Sequence, residues 1–277
     1  MTAMRLLADS VALPVNPAEL AVWGLALAAS GAVVAAIRRT EAAGGEAVPG
    51  RPWPVAEWSG VDVFFLCGVV VFSAGIFGLL PPADAALRTR LSAGAFGLLA
   101  GAVAIVAFLR ARGASWRSIG LSSFDPAGDL RLAAAGTVLV VGPLLAVATA
   151  LDRLVPYEHP VVDVMADGRG PLDVLAVVLA AVVAAPITEE LLFRRVILGW
   201  LDKRFPSPGG VTAILVSGVA FGLAHLGQGL AGLPLVVLGV VLGELAHRRG
   251  SLVPAILLHA LFNGVSVALL LLQPGSR

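Results

Sequence analysis

Apolar residues in this chain gather into eight runs, at 18–37, 61–80, 91–109, 130–150, 172–188, 211–226, 230–246 and 252–273, separated by stretches that hold most of the charge. A helix needs about 20 apolar residues to cross roughly 30 Å of hydrocarbon. The pattern therefore predicts an all-α fold: a polytopic membrane helix bundle with about eight transmembrane helices. Glu19 lies at the start of the first run, residues 1–17 lack a basic leader, and Arg38 and Arg39 follow the apolar core. That order favours a retained helix over a cleaved signal. The sixth and seventh runs are short and glycine-rich, as helices deep in a bundle often are.

The segments between the runs set an expected topology. Odd-numbered loops hold eleven basic residues (Arg38, Arg39, Arg51, Arg110, Arg112, Arg117, Arg131, Lys203, Arg204, Arg248 and Arg249) against six on the other side. Basic residues favour the cytoplasmic side, which places both termini outside. Residues 41–60, rich in Gly, Pro and Glu, read as a flexible cytoplasmic loop. Residues 157–170, with Glu158, His159, Asp163 and Asp167, read as a solvated external loop. Two parts are expected: residues 1–114 with the first three helices, and residues 115–277 with the remaining five.

Composition agrees with the runs. The 277 residues are 58% hydrophobic and 13% charged with a mean hydropathy of +0.93, which excludes an ordinary soluble domain. A net charge of +1 without a basic tract gives no reason to expect nucleic acid as a partner. The single Cys67 rules out an intramolecular disulfide and a cysteine-type zinc cluster. Eighteen arginines against one lysine, with abundant Ala, Gly and Val, suggest a GC-rich bacterial source.

Against this background a few polar residues stand out. Glu189, Glu190 and Arg194 directly follow the apolar stretch 174–187. An ionisable group at membrane depth costs about 2.5 kcal/mol or more unless it is paired or hydrated, so it is a functional candidate by default. Glu190 and Arg194 lie one helical turn apart and are expected to pair. Glu189 points about 100° away around the helix and is left without that cation, a setting that raises a carboxyl's proton affinity toward that of a general base. The plainer alternative is that both glutamates only staple helices together. Phe221 and His225 form a second one-turn pair, His259 and Asn263 a third. Each alone is as readily a packing or helix–helix hydrogen-bonding element. Counted from a turn at 206–210, Glu189 and His225 each lie about 23 Å along antiparallel helices, at one level. His259 and Asn263 fall about 13 to 20 Å from the turn near Arg249 and Gly250. The three pairs thus predict one polar cluster inside the bilayer, nearer the cytoplasmic side. His247, beside Arg248 and Arg249, reads as an interfacial anchor.

With Glu189-Glu190-x-x-x-Arg194, Phe221-x-x-x-His225 and His259-x-x-x-Asn263 in order on successive helices, the chain resembles the CPBP (Abi) family of CAAX proteases and bacteriocin-processing enzymes. The resemblance covers about 115–270 and includes Ala185-Pro186 and Ser118-Ile119-Gly120-Leu121. Arg195 departs from the pattern, since many relatives carry glycine there, and the first 110 residues are not diagnostic. The resemblance implies an intramembrane endopeptidase in the bacterial cytoplasmic membrane that acts on a membrane-associated protein or peptide. It implies Glu189, His225, His259 and Asn263 as the catalytic centre, with Glu190, Arg194 and Phe221 in support.

Two chemistries fit those residues. In the first, Glu189 with His225 activates water while His259 and Asn263 donate to the oxyanion. In the second, Glu189, His225 and His259 bind zinc and leave one position for water. The metal-free form is preferred, because no His-Glu-x-x-His helix is present. A proton-coupled carrier and a non-catalytic scaffold or immunity protein are the alternatives. Against the carrier stand the absence of an internal repeat and the confinement of polar groups to one cluster.

Overall fold

The computed structural model describes residues 17–152, 154–155 and 170–272, and every regular element among them is helical. Glu158, His159, Asp163 and Asp167 lie outside the described residues. The helices are α1 (Pro17–Ala42), α2 (Gly60–Leu79), α3 (Leu87–Ala111), the single turn α4 (Trp116–Ile119), α5 (Pro126–Asp152), α6 (Pro171–Arg204), α7 (Val211–Leu223), α8 (Gly232–Arg249) and α9 (Val253–Leu272).

All eight apolar runs are helical, and six of these helices (α1, α2, α3, α5, α6 and α9) are long and apolar enough to cross a membrane. Their outer faces carry large apolar side chains in the open, among them Phe64 (82% exposed), Phe72, Leu175 and Leu269. In water such a surface would drive association, whereas in lipid it is the expected exterior. The protein is an integral membrane helical bundle. The sixth and seventh runs depart from full spans. α7 has 13 residues, about 20 Å, and α8 ends in Glu244, His247, Arg248 and Arg249. Together they form a hairpin that turns at residues 224–231.

α6 departs in the other direction. Its 34 residues measure about 51 Å, so its last turns reach past the hydrocarbon or tilt within it. Two of its segments, Val178–Ala184 and Glu190–Ile197, have the wider π winding. Such widening often marks functional sites.

α7 and α8 cross closely because glycines face each other. A Cβ on Gly239 would come within 2.9 Å of the Gly218 Cα, and one on Gly222 within 2.6 Å of the Gly232 carbonyl oxygen. Small residues that let backbones touch are the usual packing device between helices in lipid. α9 packs on α5 and against the first π segment of α6, while α1 packs on α5.

The four odd-numbered loops meet at one end of the bundle, as the expected parity of the spans requires. The backbone N–H of Arg51 bonds to the Arg249 carbonyl, Trp53 Nε1 to the Ser118 carbonyl at 3.3 Å, and Leu252 N–H to the Gly120 carbonyl at 2.9 Å. The Ser118-Ile119-Gly120-Leu121 stretch thereby docks onto the start of α9. Lys203 Nζ donates to the carbonyls of Ala56 and Trp58. His247 bonds to Asp202 at 3.2 Å, pinning the end of α8 to that of α6. Composition alone suggests a pliant segment at 41–60, yet Ala56 and Trp58 are buried and the segment runs across the ends of α6 and α8 as a strap.

Replacing Gly218 by Val should force α7 from α8, because the added Cβ would lie 2.9 Å from the Val240 nitrogen. Overpacking of this kind costs about 1–3 kcal/mol. Thermal unfolding in detergent should show a lower midpoint, with Ser217→Ala milder.

Candidate active site

α6 carries Glu189 and Glu190 at the junction where ordinary α winding gives way to the second π segment. Glu190 and Arg194 are both fully buried, with Glu190 Oε2 3.1 Å from Arg194 Nε. The pair expected from the spacing forms. The two meet as charges without a well-aligned hydrogen bond, and Arg194 Nη1 has no hydrogen-bond partner among the described residues. Arg194 Nη2 reaches the Gly239 carbonyl at 3.4 Å, and its guanidinium lies 4.3 Å from the centre of the Phe221 ring. Cation–π contact with a desolvated guanidinium is worth about 2 kcal/mol. The close crossing of α7 and α8 is what brings Phe221 and Gly239 to Arg194 together.

The second oxygen of Glu190 goes to α9. His259 Nδ1 lies 2.8 Å from Glu190 Oε1, and His259 Nε2 lies 3.8 Å from Glu189 Oε2. The two neighbouring carboxylates therefore address opposite nitrogens of one imidazole. Spacing suggests that Glu189 is left without a partner, but the His259 ring enters between the glutamates and meets both. Their surroundings differ: Glu190 is sealed, and the Glu189 side chain is 21% exposed. With Nδ1–H donating to Glu190, Nε2 is the nitrogen turned toward Glu189.

Phe221 organises the remaining rings. It packs edge-on to His259 at 5.6 Å, against His225 at 4.9 Å and edge-on to Phe193 at 5.3 Å. His225 sits just beyond the end of α7, where its Nδ1 bonds to the Phe221 carbonyl at 2.8 Å and its Nε2 has no hydrogen-bond partner among the described residues. Among the described residues no carboxylate lies within 4 Å of His225, so the histidine that approaches Glu189 is His259. Asn263, one turn after His259, donates through Nδ2 to the Ala181 carbonyl at 2.8 Å. Ala181 belongs to the first π segment, so the widened winding supplies an acceptor for the amide.

The second π segment also uses its carbonyls outside the helix. Ser217 Oγ donates to the Phe193 carbonyl at 2.8 Å, and Trp58 Nε1 to that of Val196 at 2.9 Å. Arg195, 2% exposed, lies between Trp53 and Trp58 at 4.7 and 4.5 Å and donates to the Pro54 carbonyl at 2.9 Å. Sequence reasoning notes Arg195 only as a departure from a family pattern and passes over both tryptophans. Two tryptophans in a Pro-rich loop, opposite an arginine within an apolar run, are the signal that could have joined them.

Zinc needs three ligands converging on one point. Glu189 and His259 come together, but among the described residues no three His, Cys, Asp or Glu side chains form a group that could hold a metal. The arrangement does not fit a three-ligand zinc centre of Glu189, His225 and His259.

Because Glu190 is sealed and paired, Glu190→Gln should destabilise the fold by about 3–5 kcal/mol. Glu189→Gln, at a partly open position, should change stability by less than about 1 kcal/mol. Thermal midpoints of the two variants, measured side by side in one detergent, check the contrast.

Comparison with known proteins points the same way. Residues 171–265 match the family described as type II CAAX prenyl endopeptidase Rce1-like. The UPF0177 protein YxdF of Lactococcus lactis is 29% identical over 109 residues, which is 38% of this chain and 58% of that protein. No solved structure matches the chain significantly. The segment that carries every residue of the cluster, 171–265, is thus similar to type II CAAX prenyl endopeptidase Rce1-like proteins, consistent with the CPBP family.

Proposed function

We propose that this protein is an intramembrane endopeptidase of the CAAX-protease type, which hydrolyses a peptide bond in a membrane-associated protein or peptide. The observation that carries the reading is the line of contacts Glu190–His259–Glu189 inside an apolar bundle, ending on the partly exposed carboxylate.

A water about 2.8 Å from both Glu189 Oε2 and His259 Nε2 bridges their 3.8 Å separation with ordinary hydrogen bonds. Glu189 removes a proton from this water while its oxygen attacks the carbonyl carbon of the scissile bond. The tetrahedral intermediate collapses as the carbon–nitrogen bond breaks, and the proton held by Glu189 passes to the departing amine. The products are a carboxylate and an amine. Glu190 fixes the tautomer and aim of His259, and Arg194 balances the charge of Glu190.

Sequence spacing groups His259 with Asn263 at the oxyanion. The contact with Glu189 instead gives His259 the task of orienting water. Asn263 remains the oxyanion donor. One of its amide hydrogens is committed to Ala181, which orients the other. A single donor of this kind contributes about 3 kcal/mol to catalysis.

Detergent-purified protein should cleave members of a quenched fluorescent peptide library. Glu189→Gln should abolish cleavage, and Asn263→Ala should lower kcat about 100-fold. Activity should survive a zinc chelator; loss on chelation with recovery on added zinc would establish the metal chemistry instead. Cleavage that persists in Glu189→Gln would reduce the cluster to packing.

A further inference from the structure

The end of the bundle where the basic loops meet holds a second polar recess. Its cavity, about 180 Å³, is lined by Arg51, Arg117, Ser122, Ser123, Phe124 and Gly250. None of these belongs to the cluster around Glu189.

The charge in the recess is unbalanced. The Arg51 guanidinium stacks on Phe124 at 4.5 Å, and that of Arg249 lies 4.2 Å from the same ring. Arg249 is neutralised: its Nε meets Asp129 at 2.6 Å, and its Nη2 meets Asp125 at 3.3 Å. The Gly128 N–H, then Arg249 and Arg131, hold the Asp125 carboxyl below its ordinary range, so it stays ionised and engaged. Arg51 and Arg117 have no carboxylate within 4 Å among the described residues, and Arg117 donates only weakly to the Pro52 carbonyl at 3.4 Å.

The backbone is shaped to bring Arg51 there. Gly250 ends α8 in the left-handed conformation (φ +65°), and a Cβ on it would lie 2.0 Å from the Arg51 carbonyl oxygen. Only glycine allows the strap to approach so closely.

We propose that this recess binds the phosphate of an anionic phospholipid headgroup. Guanidinium forks and serine hydroxyls are the donors that phosphate oxygens take. The position is also right for a lipid. The recess lies between the end of α3 at Ala111 and the start of α5 at Pro126, where two apolar helices leave the hydrocarbon. Trp116 (52% exposed) lies there under Arg110 at 5.1 Å, Phe124 is 40% exposed, and Leu130 in the first turn of α5 is 56% exposed. Aromatic rings and arginines at headgroup level above bare aliphatic side chains form a surface for a whole lipid.

Native mass spectrometry of the detergent-purified full chain, with phosphatidylglycerol or phosphatidylcholine added, tests the assignment without reference to proteolysis. Wild type should retain phosphatidylglycerol in preference to phosphatidylcholine. Arg51→Gln/Arg117→Gln should retain it about 30-fold less well, Arg117→Gln alone about fivefold less, and Arg38→Gln as wild type. The single variant alters one exposed side chain and serves if the double variant fails to fold. Equal retention of the two lipids, or undiminished retention by both recess variants, overturns the proposal. Displacement of lipid by millimolar inorganic phosphate would assign the recess to a soluble anion. Displacement by a peptide with a free C-terminal carboxylate would assign it to a peptide terminus.

Discussion

A guanidinium and a carboxylate, both wholly withdrawn from solvent, face each other inside an apolar bundle, and much of the architecture serves to keep them there. Arg194 and Glu190 would be costly in hydrocarbon if either lacked its partner. Their remaining needs reach into three other helices. Arg194 takes the face of Phe221 on α7 and the Gly239 carbonyl on α8, and Glu190 takes His259 on α9. The glycine contact between α7 and α8 and the docking of α9 are conditions for that pairing as well as packing features.

The same logic recurs one residue later. Arg195 is almost fully buried but has no carboxylate within 4 Å among the described residues; two indole faces and a loop carbonyl take that place. That solution requires the strap between α1 and α2 to lie over α6, and Trp58 fastens it by bonding to Val196. Adjacent arginines are thus buried by different means, one inside the bundle and one beneath a connecting segment.

Much of this was legible in the sequence because it is local or periodic. Apolar runs gave the helical bundle, and four-residue spacing gave the Glu190–Arg194 pair. Counting from the turns put Glu189 and His225 at one level with His259 and Asn263, and of these Glu189 and His259 lie 3.8 Å apart. What stayed hidden depends on contacts between distant segments. No local rule indicates that α6 widens into π turns, whose carbonyls at Ala181, Phe193 and Val196 then accept from Asn263, Ser217 and Trp58. Nor does helical geometry reveal that one imidazole would enter between Glu189 and Glu190. Gly and Pro content suggested a pliant 41–60, because composition does not register where Trp53 and Trp58 find a guanidinium. The short α7 was obscured because the apolar run continues past its last turn.

The strap also bears on where this protein can be divided. Similarity to the peptidase family begins at residue 171, yet the cover over Arg195 comes from residues 53–58, and Lys203 finds its acceptors at Ala56 and Trp58. A boundary drawn by kinship therefore cuts through a physical unit. Excision at residue 170 would leave a bare guanidinium on the helix that carries both glutamates. A chimera that exchanges the matched segment must carry the α1–α2 connection with it. Heredity and cohesion follow different borders in this chain.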